Sequence, residues 1–197
     1  MDDRPNVLIV GHSFISRLAH DLTAVNYLDP SFDLIQCNIQ CYGVSGAKVA
    51  TLIDHPGLDN VIRDFQPKII ILQIGGNDIC DNDLKPEKLA CNIIDLMAAL
   101  QEKYALELIV VCELFPRYAP RNITPYQYEQ KRNIVNQMLS IMLEDSRDVK
   151  FWKHLRLINS PLNIIGHDGV HLSALGTKKF YRSIRLAVLH ALDIINV

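Results

Sequence analysis

Four short segments hold most of the residues in this chain that could do chemistry. Gly11-His12-Ser13 follows an apolar run and precedes a helical pattern. A serine there is a favoured helix N-cap. A serine at the tip of a strand is also well placed to be a nucleophile. In that role it needs a base, a group that orients the base, and donors for an oxyanion. Asp168 and His171, in HDGVHLS (167–173), supply the first two. On a turn, residues three apart lie on one side. The carboxylate could then fix the imidazole tautomer and stabilise the imidazolium. The same pair also reads as Asp168 capping a turn beside a surface histidine. His12 and His167 are rival bases. His12 is adjacent to Ser13 and should project elsewhere, and His167 has no carboxylate at the matching offset. Asn77, in GGND (75–78), either turns the chain or offers its amide N–H to the oxyanion. Gly46, in YGVSGA (42–47), offers a backbone N–H that no side chain obstructs. With the Ser13 N–H that makes three donors, and preorganised donors are often the largest catalytic term.

These segments need strand ends to carry them. NVLIV (6–10) is a short β-branched run, so a buried strand. FISRLAHDLTAV (14–25) places Phe14, Leu18, Leu22 and Val25 on one helical face. FDLIQCNI (32–39) alternates and predicts a strand, with 41–47 as a loop. A helical pattern from 49 to 65 is interrupted by HPG. KIIILQI (68–74) predicts a central strand, 86–105 a helix with Pro86 in its first turn, and 106–114 another strand. Residues 115–125 form a loop, either an apolar lid or a rigid connection. Helices at 126–143 and 173–195 and a last short strand within 150–158 complete the reading. Alternating strands and helices, with several strands apolar throughout, imply a parallel sheet covered on both faces. In such sheets ligands bind beyond the carboxyl ends of the strands. The loops at 12–17, 43–50, 77–85, 115–125 and 160–170 should therefore build the pocket.

Composition bounds the rest. Residues 1–197 read as one domain, since no linker, charge block or repeat divides them and 49% of them are apolar. Net charge is −2, which carries no global signal for nucleic acid. Lys131/Arg132 and the group Lys178, Lys179, Arg182 and Arg185 read as solvated helix faces rather than basic patches. The apolar runs are too short for a membrane span, and the acidic start does not resemble a secretory leader. Five cysteines, Cys112 among them in a strand-like run, fit reduced thiols and a cytoplasmic protein. Cys37 and Cys41 have the look of half a metal site, but no second pair at zinc spacing accompanies them, so no metal is expected. The sequon at Asn122–Thr124 should be silent without a signal peptide.

The motif around Ser13 is not G-x-S-x-G, which excludes the α/β-hydrolase elbow. Instead GHS, GVSG, GGND and DGVH stand in the order of the four blocks of the SGNH hydrolases, the GDSL-type esterase/lipase superfamily, and the chain resembles them from Val7 to about Ala187. The resemblance implies a three-layer α/β/α, flavodoxin-like fold with about five parallel strands and no metal or other cofactor. It implies Ser13 as nucleophile, His171 as base, Asp168 as its orienter, and Gly46 and Asn77 as oxyanion partners. Gly43 matches the family's glycine less well than Gly46. The first block usually reads Gly-Asp-Ser, and His12 replaces that Asp here. More narrowly, VLIVGHSF, LQIGGND and FPR are similar to esterase domains in the first open reading frame of animal LINE-type retrotransposons. The expected activity is hydrolysis of an acyl ester, of a small molecule or a lipid, through an acyl-enzyme. An acyltransferase on the same triad would differ only in the acceptor. The alternative is an idle module binding lipid, RNA or another copy of the chain.

Overall fold

A computed structural model describes residues 4–23, 28–158 and 163–195. In chain order the elements are β1 (Asn6–Gly11), α1 (Ser13–Thr23), β2 (Asn38–Gly43), α2 (Val49–Ile53), α3 (Pro56–Phe65), β3 (Ile69–Gln73), α4 (Pro86–Lys103), β4 (Leu108–Cys112), α5 (Pro125–Met142), β5 (Val149–Trp152), α6 (Leu155–Ile158) and α7 (Ala174–Ile195). The strands form one parallel sheet in the order β2-β1-β3-β4-β5. This is the flavodoxin-like order, with the chain reversing direction across the sheet between β1 and β3.

Strand alternation explains the three layers. Successive side chains leave opposite faces of a strand. Leu8, Val10, Ile70, Leu72, Ile109 and Val111 pack with Leu52, Ile62, Ile93 and Val135, so α2, α3, α4 and α5 cover one face. Val7, Ile9, Ile69, Ile71, Leu108 and Val110 pack with Phe14, Leu18, Phe180 and Ile184, so α1 and α7 cover the other. Burial on both faces is why β1, β3 and β4 are unbroken apolar runs. Pro56, Pro86 and Pro125 each stand in a helix's first turn, where a missing N–H costs nothing.

The strand expected at 32–39 is displaced. Phe32 and Asp33 have φ of 57° and 54°, left-handed values that turn the chain. Phe32 is buried, stacked on Tyr181 at 4.5 Å, and its carbonyl accepts from Arg185 Nε at 2.9 Å. Phe32 and Leu34 thus alternate because a turn buries them. The strand is β2, at the sheet edge, and its half-buried residues (NIQCYG) give little apolar signal. Val25, expected on the apolar face of α1, lies outside the described residues. Among those residues no helix is long and apolar enough to cross a membrane.

Candidate active site

The carboxyl ends of β1, β2, β3 and β4 and the loop before α7 converge on one cleft of about 910 Å³. Ser13, Gly46, Asn77, Asp168 and His171 all line it. It draws on each of the five loops expected to form a pocket.

Ser13 is the first residue of α1, separated from the end of β1 by His12 alone. The strand end is clamped on both sides: Val44 N–H donates to the Gly11 carbonyl at 2.9 Å, and His12 N–H to the Gln73 carbonyl at 3.2 Å. A Cβ on Gly43 would overlap the backbone of Ser16, so that glycine lets the first turn of α1 pass the end of β2. The N-cap role falls to His12. Its carbonyl accepts from Ile15 and Ser16 N–H, and its Nδ1 from Phe14 N–H at 3.4 Å. The Ser13 hydroxyl points instead at His171, with Oγ 3.0 Å from Nε2.

His171 Nδ1 lies 2.7 Å from Asp168 Oδ2. The other carboxylate oxygen accepts the Val170 and His171 N–H groups at 3.0 and 2.8 Å. Asp168 therefore both caps a turn and holds the ring, with one oxygen for each. These two backbone bonds, with the His171 ring bond, hold its carboxyl well below the usual range. The turn is fixed by Gly169 at φ 67° and by Gly166 N–H donating to the His171 carbonyl at 2.7 Å. Tyr118 and Ala119 N–H both donate to the Gly169 carbonyl, tying the 115–125 loop to it. Of that loop, Arg117, Ala119, Arg121 and Asn122 face the cleft, while Phe115 is buried in the core. It is a rigid connection with a polar inner side, and not an apolar lid.

Asn77 is oriented without ambiguity. Its Nδ2 donates to the Ala47 carbonyl at 2.8 Å, and its Oδ1 accepts from Arg117 Nη2 at 3.0 Å. Arginine only donates and a carbonyl only accepts, so the amide cannot be flipped. One N–H of the amide remains for the cleft. The neighbouring turn is made by Gly75, at φ 105°, whose carbonyl accepts from Asp78 and Ile79 N–H. Asp78 is buried and accepts from Val49 N–H at 3.1 Å, and burial raises its carboxyl to about 6. Asn77 and Asp78 thus pin the segment that carries Gly46. Gly46 itself has φ 80°, and a side chain there would meet nothing within 4 Å.

The rival bases fall elsewhere. His12 is 1% exposed, and burial, then Arg117, then His171, lowers its pKa to about 3. His167 is exposed, away from the line joining Asp168, His171 and Ser13. The basic pair at 131–132 is structural. Lys131 Nζ donates to the carbonyls of Asp81, Asn82 and Leu84, and Arg132 is buried and paired with Glu129. All five cysteines are free. Among the described residues no three His, Cys, Asp or Glu side chains are grouped to hold a metal. Sequence reasoning passed over Arg117 and Asp78 as site residues. The signal for Arg117 was a charged residue just after the apolar stretch that ends at Phe115, separated from it by Pro116 alone.

A family model described as "GDSL-like Lipase/Acylhydrolase family" matches residues 10–179. No curated protein matches the chain. Solved structures similar to it include a GDSL-like lipase from Bacteroides thetaiotaomicron, at 14% identity and a TM-score of 0.70, covering 97% of this chain and 91% of that one. A carbohydrate esterase family 3 protein from Talaromyces cellulolyticus aligns at 13% identity and a TM-score of 0.65, covering 98% and 99%. A family 3 carbohydrate esterase from Clostridium thermocellum aligns at 20% identity and a TM-score of 0.61, covering 96% and 99%. At these identities the likeness is one of fold.

Proposed function

This chain belongs to the GDSL-like lipase/acylhydrolase family, and from that premise we propose that it is a serine esterase acting through Ser13, His171 and Asp168. The observation that carries the reading is the unbroken line Asp168 Oδ2–His171 Nδ1 at 2.7 Å and His171 Nε2–Ser13 Oγ at 3.0 Å. Asp168, held as an anion, keeps the ring proton on Nδ1 and leaves Nε2 free to accept. Ser13 Oγ attacks the ester carbonyl while His171 takes its proton. The tetrahedral oxyanion is met by the N–H groups of Ser13 and Gly46 and by the Asn77 amide. His171 then returns the proton to the departing alkoxide, leaving an acyl-Ser13. Water, deprotonated by His171, attacks that ester, and the acid leaves as the proton goes back to Ser13. Every group used belongs to the chain, so no cofactor enters.

The cleft favours a short acyl group, because Lys48, Asn82 and Arg121 line it where a long chain would need apolar walls. Acetyl esters are therefore a better fit than long-chain lipids. The free thiols fit a cytoplasmic setting. The narrower likeness to retrotransposon-encoded esterase domains rests on the three quoted sequence segments alone. The test is hydrolysis of p-nitrophenyl esters over several chain lengths, with labelling by an activated phosphonate. Wild type should turn over the acetyl ester best and be labelled once, at Ser13. Turnover or labelling that persists in Ser13→Ala would overturn the reading. A folded protein with neither would be the binding module instead.

A further inference from the structure

We propose that the cleft selects acyl esters carrying an anionic group, a carboxylate or a phosphate, and that Arg117 binds it; the proposal rests on the serine-esterase reading of the same site. The starting observation is a pair of equally buried arginines. Arg117 and Arg132 are each 6% exposed. Arg132 meets a carboxylate through Nε and Nη2, at 2.9 and 2.6 Å from the two oxygens of Glu129. Arg117 meets only neutral partners. Nη2 donates to Asn77 Oδ1 at 3.0 Å, Nη1 to Cys80 Sγ at 3.6 Å, and the guanidinium carbon lies 5.6 Å from the Tyr128 ring centroid. Among the described residues no carboxylate pairs with it; the acidic groups nearby pair elsewhere, Asp81 with Lys48 and Asp168 with Arg17. A cation withdrawn from water is costly unless something negative compensates it. For Arg132 that partner is built into the fold. Arg117 opens on the cleft, so its partner is something that enters the cleft.

The surroundings leave the charge standing. Besides Cys80 and Tyr128, the titratable side chain beside Arg117 is His12. Its Nε2 and Arg117 Nη2 lie 3.2 and 3.0 Å from the point a Cβ on Gly76 would occupy. His12 is sealed in the core and neutral, so it offers no counter-charge. Arg17, Lys48 and Arg121 also line the cleft, against Asp81 and Asp168. A chain with net charge −2 has thus gathered cations at one cleft, a local field that draws in anions. The planar guanidinium matches carboxylate and phosphate oxygens with two parallel bonds.

The test compares matched esters on the full chain. One pair puts the charge on the acyl side, 4-nitrophenyl hemisuccinate against 4-nitrophenyl butyrate. The other puts it on the alcohol side, 4-acetoxybenzoate against phenyl acetate. Comparing each charged-to-neutral kcat/KM ratio between proteins cancels intrinsic reactivity. In Arg117→Met the ratio should fall about 10-fold or more for at least one pair, as expected for loss of a charge-assisted bond. Arg117→Lys should recover part of it. His12→Asp, which adds a carboxylate beside Arg117, should lower the same ratio with Arg117 intact. Ratios unchanged in both pairs for Arg117→Met and His12→Asp would overturn the proposal and leave Arg117 as a prop for Asn77. Should Arg117→Met fail to fold, wild type still decides: succinate should inhibit neutral-ester hydrolysis competitively and succinamide should not, and equal inhibition overturns the proposal. If no ester is turned over in a Ser13-dependent way, the esterase reading fails separately, and calorimetric titration of 4-acetoxybenzoate and phenyl acetate into Ser13→Ala still reads the charge preference.

Discussion

Asp168→Asn separates the orienting role of this residue from its turn-making role, because the two roles use different oxygens. Oδ1 accepts the Val170 and His171 N–H groups, and Oδ2 meets the His171 ring. In the variant the amide oxygen should stay on the two backbone donors, where only an acceptor fits. The amide NH2 then faces Nδ1, and two donors oppose each other unless the ring moves its proton to Nε2. With the proton there, Nε2 donates to Ser13 Oγ and cannot take its proton. For a buried triad acid this change costs about 10⁴ in kcat, or roughly 5.5 kcal/mol. The Asp168 side chain is 46% exposed, so water can relieve part of the donor clash. A loss of about 10²–10⁴ in kcat is expected, with Tm nearly unchanged because both turn bonds survive. Asp168→Ala should lose activity and Tm together. The assays are steady-state hydrolysis of a p-nitrophenyl ester and scanning calorimetry. Asp168→Asn with an unaltered Tm and kcat within tenfold of wild type would refute the orienting role.

Asn77→Ala should lower kcat by about 10²–10³ with a smaller change in KM, as for loss of one oxyanion donor. A drop in Tm with kcat preserved would make Asn77 only the tie between Ala47 and Arg117. His171→Ala should be nearly inactive, whereas His12→Ala should lose stability, from the hole left beside Phe14, but keep most turnover of neutral esters; the reverse pattern of activities would make His12 the base. Stability should fall on acidification, measured by urea unfolding at pH 7 and pH 5. His12 and His154 are buried with folded pKa values lowered from 6.5 to about 3. The unfolded chain therefore binds protons that the folded one refuses, so their contribution is complete above pH 6.5 and lost as pH falls toward 3. Asp78, raised from 3.8 to about 6, acts oppositely over that interval. Two protons against one leave about 1.4 kcal/mol lost per pH unit near pH 5. A flat profile between pH 7 and pH 5 would mean that the two histidines are not sealed from water.

The parts of this molecule that a sequence reader can see are those whose burial is symmetrical. β1, β3 and β4 are covered on both faces, so their residues are apolar throughout, and the polar residues that follow them mark the strand ends. That is how Ser13 and Asn77 could be placed before any coordinates. The edge strand β2 is half-buried and weakly apolar, whereas Phe32 and Leu34 before it are buried by a turn whose left-handed backbone leaves no periodic trace. Alternation there reported burial and not extension. Lys131 and Arg132 mislead in the opposite sense. Charge in sequence suggests solvent, but one grips three carbonyls of the 81–84 loop and the other is itself buried, paired with the half-exposed Glu129. Long basic side chains can be drawn inward wherever a fold leaves carbonyls or a carboxylate for them. Only the pairing, and not the residue type, tells the two cases apart.

The same reasoning explains why the spacing of Asp168 and His171 was legible while the environment of Asn77 was not. Asp168 and His171 belong to one turn, so their juxtaposition follows from three residues of local geometry. Asn77 takes its orientation from Ala47 and Arg117, thirty and forty residues away in opposite directions. Those contacts exist because β2, β3 and β4 end on the same side of a parallel sheet. Topology brings the loops together, but only side-chain packing selects which atoms meet. The tie from Asp78 to Val49 N–H works in the same way, joining the turn after β3 to the head of α2 and so to Gly46. Asp168 and His171 are thus brought together by local chain geometry, whereas Ser13 meets His171 across 158 residues of chain and Asn77 and Gly46 are held by contacts between loops. A substitution that loosens the packing between the β3 and β2 loops should accordingly reach kcat through Asn77 and Gly46 while leaving the Ser13–His171 pair in place.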